Sequence, residues 1–273
     1  MRLLIVSLFL LWGCTKNPTH FNGVAHTHPF HIQIGHPLSQ REQNSVHELI
    51  RETFEEIDLC YNHWNPNSDL SRGILTDKVQ AILSKAQAFY ELTKGQYDPT
   101  LGALVTHFKQ TGTFPDKEVP KQYDLDGMLK GFTIDLLIDR LAEKGYQNLY
   151  VEWGGDLRVK GNHPEGRHWQ VLLNGRPFPL TDGALATSGC QEQIWEVRKT
   201  LYTHIMNPQT EKMIEVKTGM IHQVSAKAPT GALADALATA CMACGTMEAG
   251  QAFAEKIKKE YPEIEFWITT YEL

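Results

Sequence analysis

The 273-residue sequence predicts an α+β fold, with mixed sheets and packed helices in a single two-lobed unit. Three observations lead there. Segments with apolar residues at helical spacing alternate with shorter segments of strand composition. A helix near residues 131–144 runs straight into a strand at 148–153, which suggests a mixed sheet. No linker, low-complexity tract or fixed-period repeat interrupts the chain, and its 42% apolar composition is enough to fill one large core.

The N-terminus sets Arg2 before a continuous apolar run that ends in Leu11-Trp12-Gly13-Cys14 and is too short to span a bilayer. This reads as a signal peptide over residues 1–13, with Cys14 as the lipidated residue of a bacterial lipoprotein. The competing reading is a buried first strand or an uncleaved anchor. Residues 14–22 are then a lipidated tether and 23–273 the folded domain, on a membrane facing the periplasm. Removing Arg2 changes the formal charge from -6 to -7, a balance that argues against nucleic acid as a partner.

The elements follow in order. Thr27 to Gly35 alternates like a strand. Glu42 to Leu59 repeats Val46, Leu49, Ile50, Phe54 and Ile57 at helical spacing. Tyr61 to Ile74 is a polar loop, and a second helix begins near Thr76 and stops at Gly95. A third, Gly131 to Lys144, turns Ile134, Leu137, Ile138 and Leu141 inward and feeds the strand 148–153. Further strands are expected at 168–173, 183–187, 202–206, 222–228 and 263–271, with helices at 231–244 and 247–259. Cys241-Met-Ala-Cys244 has redox-motif spacing, but in an Ala-rich helix its thiols read as small packing groups.

Six segments carry candidate chemistry. Asp235 and Thr239 lie four apart on one helix face and offer two hard oxygens that suit Mg²⁺; helical spacing alone favours a plain packing helix. Asp124-Leu-Asp-Gly127-Met-Leu-Lys130-Gly131 precedes a helix and suits a phosphate, with glycines for close approach and Lys130 for charge. Trp153-Gly154-Gly155-Asp156 ends a strand as either a ligand-facing loop or a tight turn. Tyr97-Asp98-Pro99-Thr100 and Thr187-Ser188-Gly189 are turn signals by themselves. His204-Ile-Met-Asn207-Pro208-Gln-Thr210 sets a histidine before an Asn-Pro turn, where it is structural or a base near neutral pH. His20, His26, His28, His31 and His36 invite a zinc reading; no adjacent carboxylate or cysteine completes it, and exposed histidines account for them better.

Taken together and in this order, the segments resemble the FAD:protein FMN transferase (ApbE) family. Its pattern has a Met-Gly-Thr strand, a Ser-Glu-Leu-Ser-Arg loop, an Asp-Pro-Thr turn and a Gly-x-x-Lys-Gly loop. It continues through Gly-Gly-Asp, Thr-Ser-Gly, His-Ile-x-Asp-Pro-x-Thr-Gly and Asp-Ala-Leu-Ala-Thr-Ala. The resemblance spans nearly the whole chain beyond Cys14. Departures are Ala25-His26 before Thr27, Asp69 in Ser68-Asp-Leu-Ser-Arg72, Asp126 and Leu129 for a glycine and an alanine, Cys190 after Gly189, and Glu211 after Thr210.

The resemblance implies an ApbE-like, T-fold-related domain with FAD as substrate. Mg²⁺ would be held by Asp235, Thr239 and the Leu129 carbonyl. Thr27, Asp98, Lys130, Gly154, Gly155, Asp156, Thr187 and Ser188 would form the flavin site. His204 would take the proton of a threonine or serine on an acceptor flavoprotein of a membrane redox complex; that hydroxyl attacks the FMN phosphorus and AMP leaves. The alternatives are an FAD pyrophosphatase yielding FMN and AMP, and a flavin-binding lipoprotein without catalysis.

Overall fold

A computed structural model of the chain describes residues 17–115, 119–190 and 193–271. The expected signal peptide, Cys14 and the tether's next two residues lie outside the described residues. No helix among those described is long and apolar enough to cross a membrane.

The first strand, β1 (Thr19–Ala25), begins inside the segment expected as tether. Phe21 lies on the core face, and β1 pairs with β2 (His28–Ile34) along its full length. The turn between them, His26-Thr27, has φ of 46° and 71°, the positive pair whose twist matches a two-residue hairpin. Helix α1 (Gln40–Glu56) starts at a capping box in which Ser39 and Glu42 satisfy each other's backbone N–H groups. It passes into a π-helical turn at Ile57–Tyr61. Helix α2 (Asp77–Leu92) is capped by Thr76, as its sequence signals.

Two helices depart from expectation. Helix α3 (Gly102–Thr111) was not foreseen: it is one short stretch whose Phe108 is buried only because a small sheet packs on it. Helix α4 (Asp126–Glu143) starts five residues before Gly131, so the glycine-lysine segment forms its first turns rather than a preceding loop.

The main sheet has seven strands in the order β1-β2-β3-β4-β7-β11-β12. The new members are β3 (Leu149–Trp153), β4 (Asp156–Lys160), β7 (Gly183–Gly189), β11 (Ile221–Ala228) and β12 (Glu265–Thr270). The α+β class is as expected. All described strand-to-strand pairings are antiparallel, because β3 returns from α4 between β2 and β4 and opposes both.

On one face of this sheet lie α4 and α5 (Gly231–Met242), with α6 (Met247–Glu260) beside β12. Ile134, Leu137, Ile138 and Leu141 of α4 pack on Ile32, Leu149 and Val151. The other face is covered by the hairpin β5 (Trp169–Leu173) and β6 (Arg176–Leu180), whose Trp169, Val171 and Leu180 meet Leu157, Val159 and Leu185. A smaller sheet, β8 (Ile194–Val197), β9 (Thr200–Asn207) and β10 (Lys212–Glu215), packs with α3 to form the second lobe.

Helices α4 and α5 cross with almost no side-chain spacer. A Cβ on Gly131 would stand 2.1 Å from the Gly231 carbonyl oxygen, and one on Gly231 would stand 2.4 Å from that of Gly131. The contact is reciprocal in its polar groups as well. The Gly131 N–H donates to Asp235 Oδ2 at 3.0 Å, while the Gly231 and Ala232 N–H groups donate to the two Asp135 oxygens at 2.7 and 2.9 Å. Each glycine precedes an aspartate by four residues on its own helix, so each carboxylate reaches the backbone of the other helix. Ala232, Ala236 and Ala240 let α5 sit this deep. Cys241 and Cys244 join the packing: their thiols donate to the Gly250 and Ala240 carbonyls, and burial pushes both upward, Cys244 to about 11, away from redox reactivity.

Candidate active site

A cavity of about 520 Å³ opens where α3 and the small sheet meet the α4–α5 crossing, a size in the range of small-molecule sites. Eight sequence-identified residues reach its wall: Asp98, Leu129, Lys130, Thr187, Ser188, His204, Asp235 and Thr239. They come from segments spread over more than half the chain.

At the base, α5 supplies Asp235 and Thr239. Asp235 is 3% exposed, accepts the Gly131 N–H through Oδ2 and lines the cavity. Thr239 Oγ1 is 3.1 Å from Ser188 Oγ on β7. Gly127 makes this possible, since a Cβ there would come within 2.8 Å of Thr239 Cγ2. A carboxylate and two hydroxyls therefore converge, a hard-oxygen donor set that fits Mg²⁺. Leu129 lines the same wall, and its carbonyl already accepts the Thr133 hydroxyl at 2.7 Å, which leaves one lone pair at most for any ion.

Lys130 projects from the first turns of α4, where a helix N-terminus favours anions. Its Nζ lies 3.3 Å from Asp156 Oδ2, and Asp156 is fully buried and accepts the Thr187 N–H through its other oxygen at 3.0 Å. Asp156 thus orients Lys130 and Thr187 from behind the wall. Gly154 and Gly155 form the β3–β4 turn, with φ of 59° and 90°, and do not line the cavity. The tight-turn reading of this segment is the one realised, and Gly154 packs against Lys130.

Thr187 and Ser188 lie within β7 rather than after it. Asp98 Oδ1 accepts the N–H and hydroxyl of Thr100 and so builds its own turn at the cavity wall. Thr27 occupies the β1–β2 turn and does not line the cavity; His26 and His28 on either side of it do. His26 Nε2 is 3.1 Å from the Phe54 carbonyl, which explains why a histidine holds that turn. His204 on β9 is half-buried on the cavity wall, with Nδ1 3.4 Å from the Gln193 carbonyl.

Sequence reading missed the aromatic rim. Trp64 and Trp195 line the cavity, and Lys109 Nζ stands 4.4 Å from the Trp64 ring and 5.9 Å from that of Trp195. Nothing periodic marks Trp64 in its polar loop. Tyr97 also lies at the wall; burial raises its hydroxyl pKa well above the usual value, reinforced by Asp124 and Asp235. The Asp126 carboxylate is half-exposed toward the cavity but recessed among protein atoms; that burial and the charge of Asp124 push it up to about 6.

These features define a class: an α+β protein whose ligand cavity sets hard-oxygen cation donors beside a lysine, an imidazole and aromatic walls. The profile of the ApbE family matches residues 27–123 and 118–264. Similar chains include the FAD:protein FMN transferases of Chlamydia trachomatis, 36% identical over 87% of this chain and 88% of the relative, and of Chlamydia muridarum, 33% identical over the same shares. The fold is also that of the Pseudomonas stutzeri flavinyl transferase ApbE, with TM-score 0.79 at 21% identity over 94% and 92% of the two chains. An ApbE protein from Thermotoga maritima gives TM-score 0.73 at 23% identity over 93% and 94%. The chain belongs to the ApbE family.

Proposed function

We propose that the protein is an FAD:protein FMN transferase, which moves FMN from FAD to a threonine or serine hydroxyl of an acceptor flavoprotein and releases AMP. The observation that carries this reading is the meeting of Asp235, Thr239 and Ser188 with Lys130 and His204 around one cavity. The relatives named for this reaction support it.

Two electrostatic obstacles oppose attack on a pyrophosphate: the anion repels the nucleophile, and a neutral hydroxyl is a poor one. Asp235 and Thr239 would hold Mg²⁺, which when bound neutralises charge on the phosphate oxygens. Lys130, steadied by Asp156, adds a fixed positive charge. Trp64 and Trp195 suit the flat rings of flavin and adenine. His204 accepts the proton of the attacking hydroxyl; the new bond joins that oxygen to the FMN phosphorus, and the bond to the AMP oxygen breaks. We place the protein on a bacterial membrane facing the periplasm, anchored by lipid at Cys14; loss of radiolabelled palmitate incorporation in Cys14→Ala tests this.

The test of the reaction is incubation of the full chain with FAD, Mg²⁺ and candidate membrane redox flavoproteins, following AMP and acceptor mass. An FMN-sized mass gain that disappears in Asp235→Ala and His204→Ala is expected. AMP with no modified acceptor would replace transfer by hydrolysis, and FAD retained uncleaved would leave binding alone.

A further inference from the structure

A second polar cluster borders the same cavity through Asp124 and Asp126, with His63 behind them. His63 follows the π-helical turn, while Asp124 and Asp126 lie just before and at the start of α4. His63 Nδ1 stands 3.5 Å from Asp126 Oδ1 and 3.8 Å from Asp124 Oδ1. Among the described residues this is the one group of three or more His, Cys, Asp or Glu whose ligating atoms converge to within 4.8 Å of one another.

The state of His63 gives the cluster its meaning. Its side chain is 3% exposed, and neither ring nitrogen has a hydrogen-bond partner. Leaving a buried polar group unsatisfied costs about 1–3 kcal/mol, so native proteins rarely do it without a reason. Nδ1 faces the two carboxylates at distances too long for hydrogen bonds and right for a shared ion. Ligands bound at about 2.0–2.2 Å around a tetrahedral centre lie about 3.4 Å apart, close to the two separations seen.

The flanking contacts keep the carboxylates in place without consuming them. The Trp64 indole N–H donates to Asp126 Oδ2 at 2.8 Å, and the Asp126 backbone N–H donates to Asp124 Oδ1 at 2.9 Å. Asp126 keeps 52% of its side-chain surface open, so an ion has an entry path and room for water or a ligand.

We propose that His63, Asp124 and Asp126 form a second divalent-cation site, distinct from the Asp235–Thr239 donors, that takes a first-row transition ion such as Zn²⁺ or Mn²⁺. One imidazole and two carboxylates make a mixed nitrogen–oxygen set, which suits these ions better than Mg²⁺. The sequence reading found no such site because His63 is separated from Asp124 by about sixty residues and belongs to no metal-binding spacing. A divalent ion here cancels the two negative charges of Asp124 and Asp126, so an anionic ligand no longer meets the repulsion that the two carboxylates alone would exert.

The test needs no flavin, so its outcome is independent of the proposed reaction. The full chain is stripped with EDTA, supplied with excess Mg²⁺ to occupy the Asp235 donors, and titrated calorimetrically with ZnCl₂. One tight site is expected. It should survive Asp235→Asn and weaken in both His63→Ala and Asp126→Asn by more than the ~10- to 100-fold that loss of a supporting outer-sphere group costs. Because His63 is buried, circular dichroism accompanies its variant; the half-open Asp126 provides the variant that folds in any case. Visible d–d bands of bound Co²⁺, lost in Asp126→Asn, give a second readout. No Zn²⁺ binding by the parent chain, or binding unchanged in Asp126→Asn, overturns the proposal.

Discussion

Replacing Gly131 by alanine tests the α4–α5 crossing on which the site is built. In an open helix this change is favourable by about 1 kcal/mol, because glycine pays the larger backbone entropy. Here the new Cβ would meet the Gly231 oxygen at 2.1 Å, where an ordinary C···O contact is about 3.3 Å or more. The helices must part by roughly 1 Å at a crossing with no flexible side chain to give way. Overpacking of this kind costs about 1–3 kcal/mol. Parting also stretches the N–H bonds from Gly131 to Asp235 and from Gly231 and Ala232 to Asp135, each worth about 1.5–3 kcal/mol as a bond to a charged group. Allowing for partial relaxation and the helix gain, Gly131→Ala should lose about 3–5 kcal/mol, a fall in Tm of about 5–9 °C for a chain of this size. The assay is thermal unfolding by circular dichroism, with Gly189→Ala as control, since its Cβ would meet nothing nearer than 3.8 Å. A Gly131→Ala Tm within about 2 °C of the parent, or above it, would refute the crossing argument.

Three further outcomes follow from the site. His204→Ala should lower the kcat of FMN transfer by about 10²- to 10⁴-fold with little change in KM for FAD, the mark of a lost general base; a change confined to KM would remove His204 from that role. Lys130→Met should cost stability as well as activity, by about 3 kcal/mol, because it leaves the fully buried Asp156 without its ion-pair partner; urea denaturation measures this, and adding Asp156→Asn should recover part of the loss. Asp126→Asn should raise Tm near pH 8 in EDTA and not near pH 4. The folded pKa of Asp126 is raised to about 6, so its protonated form stabilises the fold at low pH and that contribution disappears as pH rises through 6; with its half-exposure the effect is about 1 kcal/mol, and an equal Tm shift at both pH values would contradict it.

Periodicity made α1, α2, α5 and α6 legible, because each has a cap residue and a long apolar face: Ser39 and Thr76 mark their starts as plainly as Val46 or Val79 mark their interiors. Strands β4, β6, β8 and β10 were not read. They are four or five residues long, and turns such as Gly154-Gly155 and Asn174-Gly175 define them more than composition does. Of the site, sequence order brought Lys130, His204, Asp235 and Thr239 into one list, and the fold brings them to one cavity. It could not show that Asp156 works from behind the wall or that Thr27 stands off it, since both depend on which side of a two-residue turn faces inward.

Asp235 and Asp135 show why the motif around the proposed cation donors is written as it is. A carboxylate meant only to bind an ion needs no glycine on a neighbouring helix, and a packing aspartate needs no place on a cavity wall. Asp235 combines the two: its Oδ2 accepts the Gly131 N–H, and the residue lines the cavity. Asp135, its counterpart across the crossing, spends both oxygens on α5 and is also paired with Arg158 at 2.8 Å. Burial raises the Asp135 pKa, against the pull of Arg158 and the two N–H groups. The same four-residue spacing from a glycine thus yields a structural clamp at Asp135 and a cavity-lining carboxylate at Asp235. Which of the two lines the cavity follows from Arg158, which reaches Asp135 from β4, whereas α5 carries Asp235 and Thr239 to the cavity wall beside Ser188.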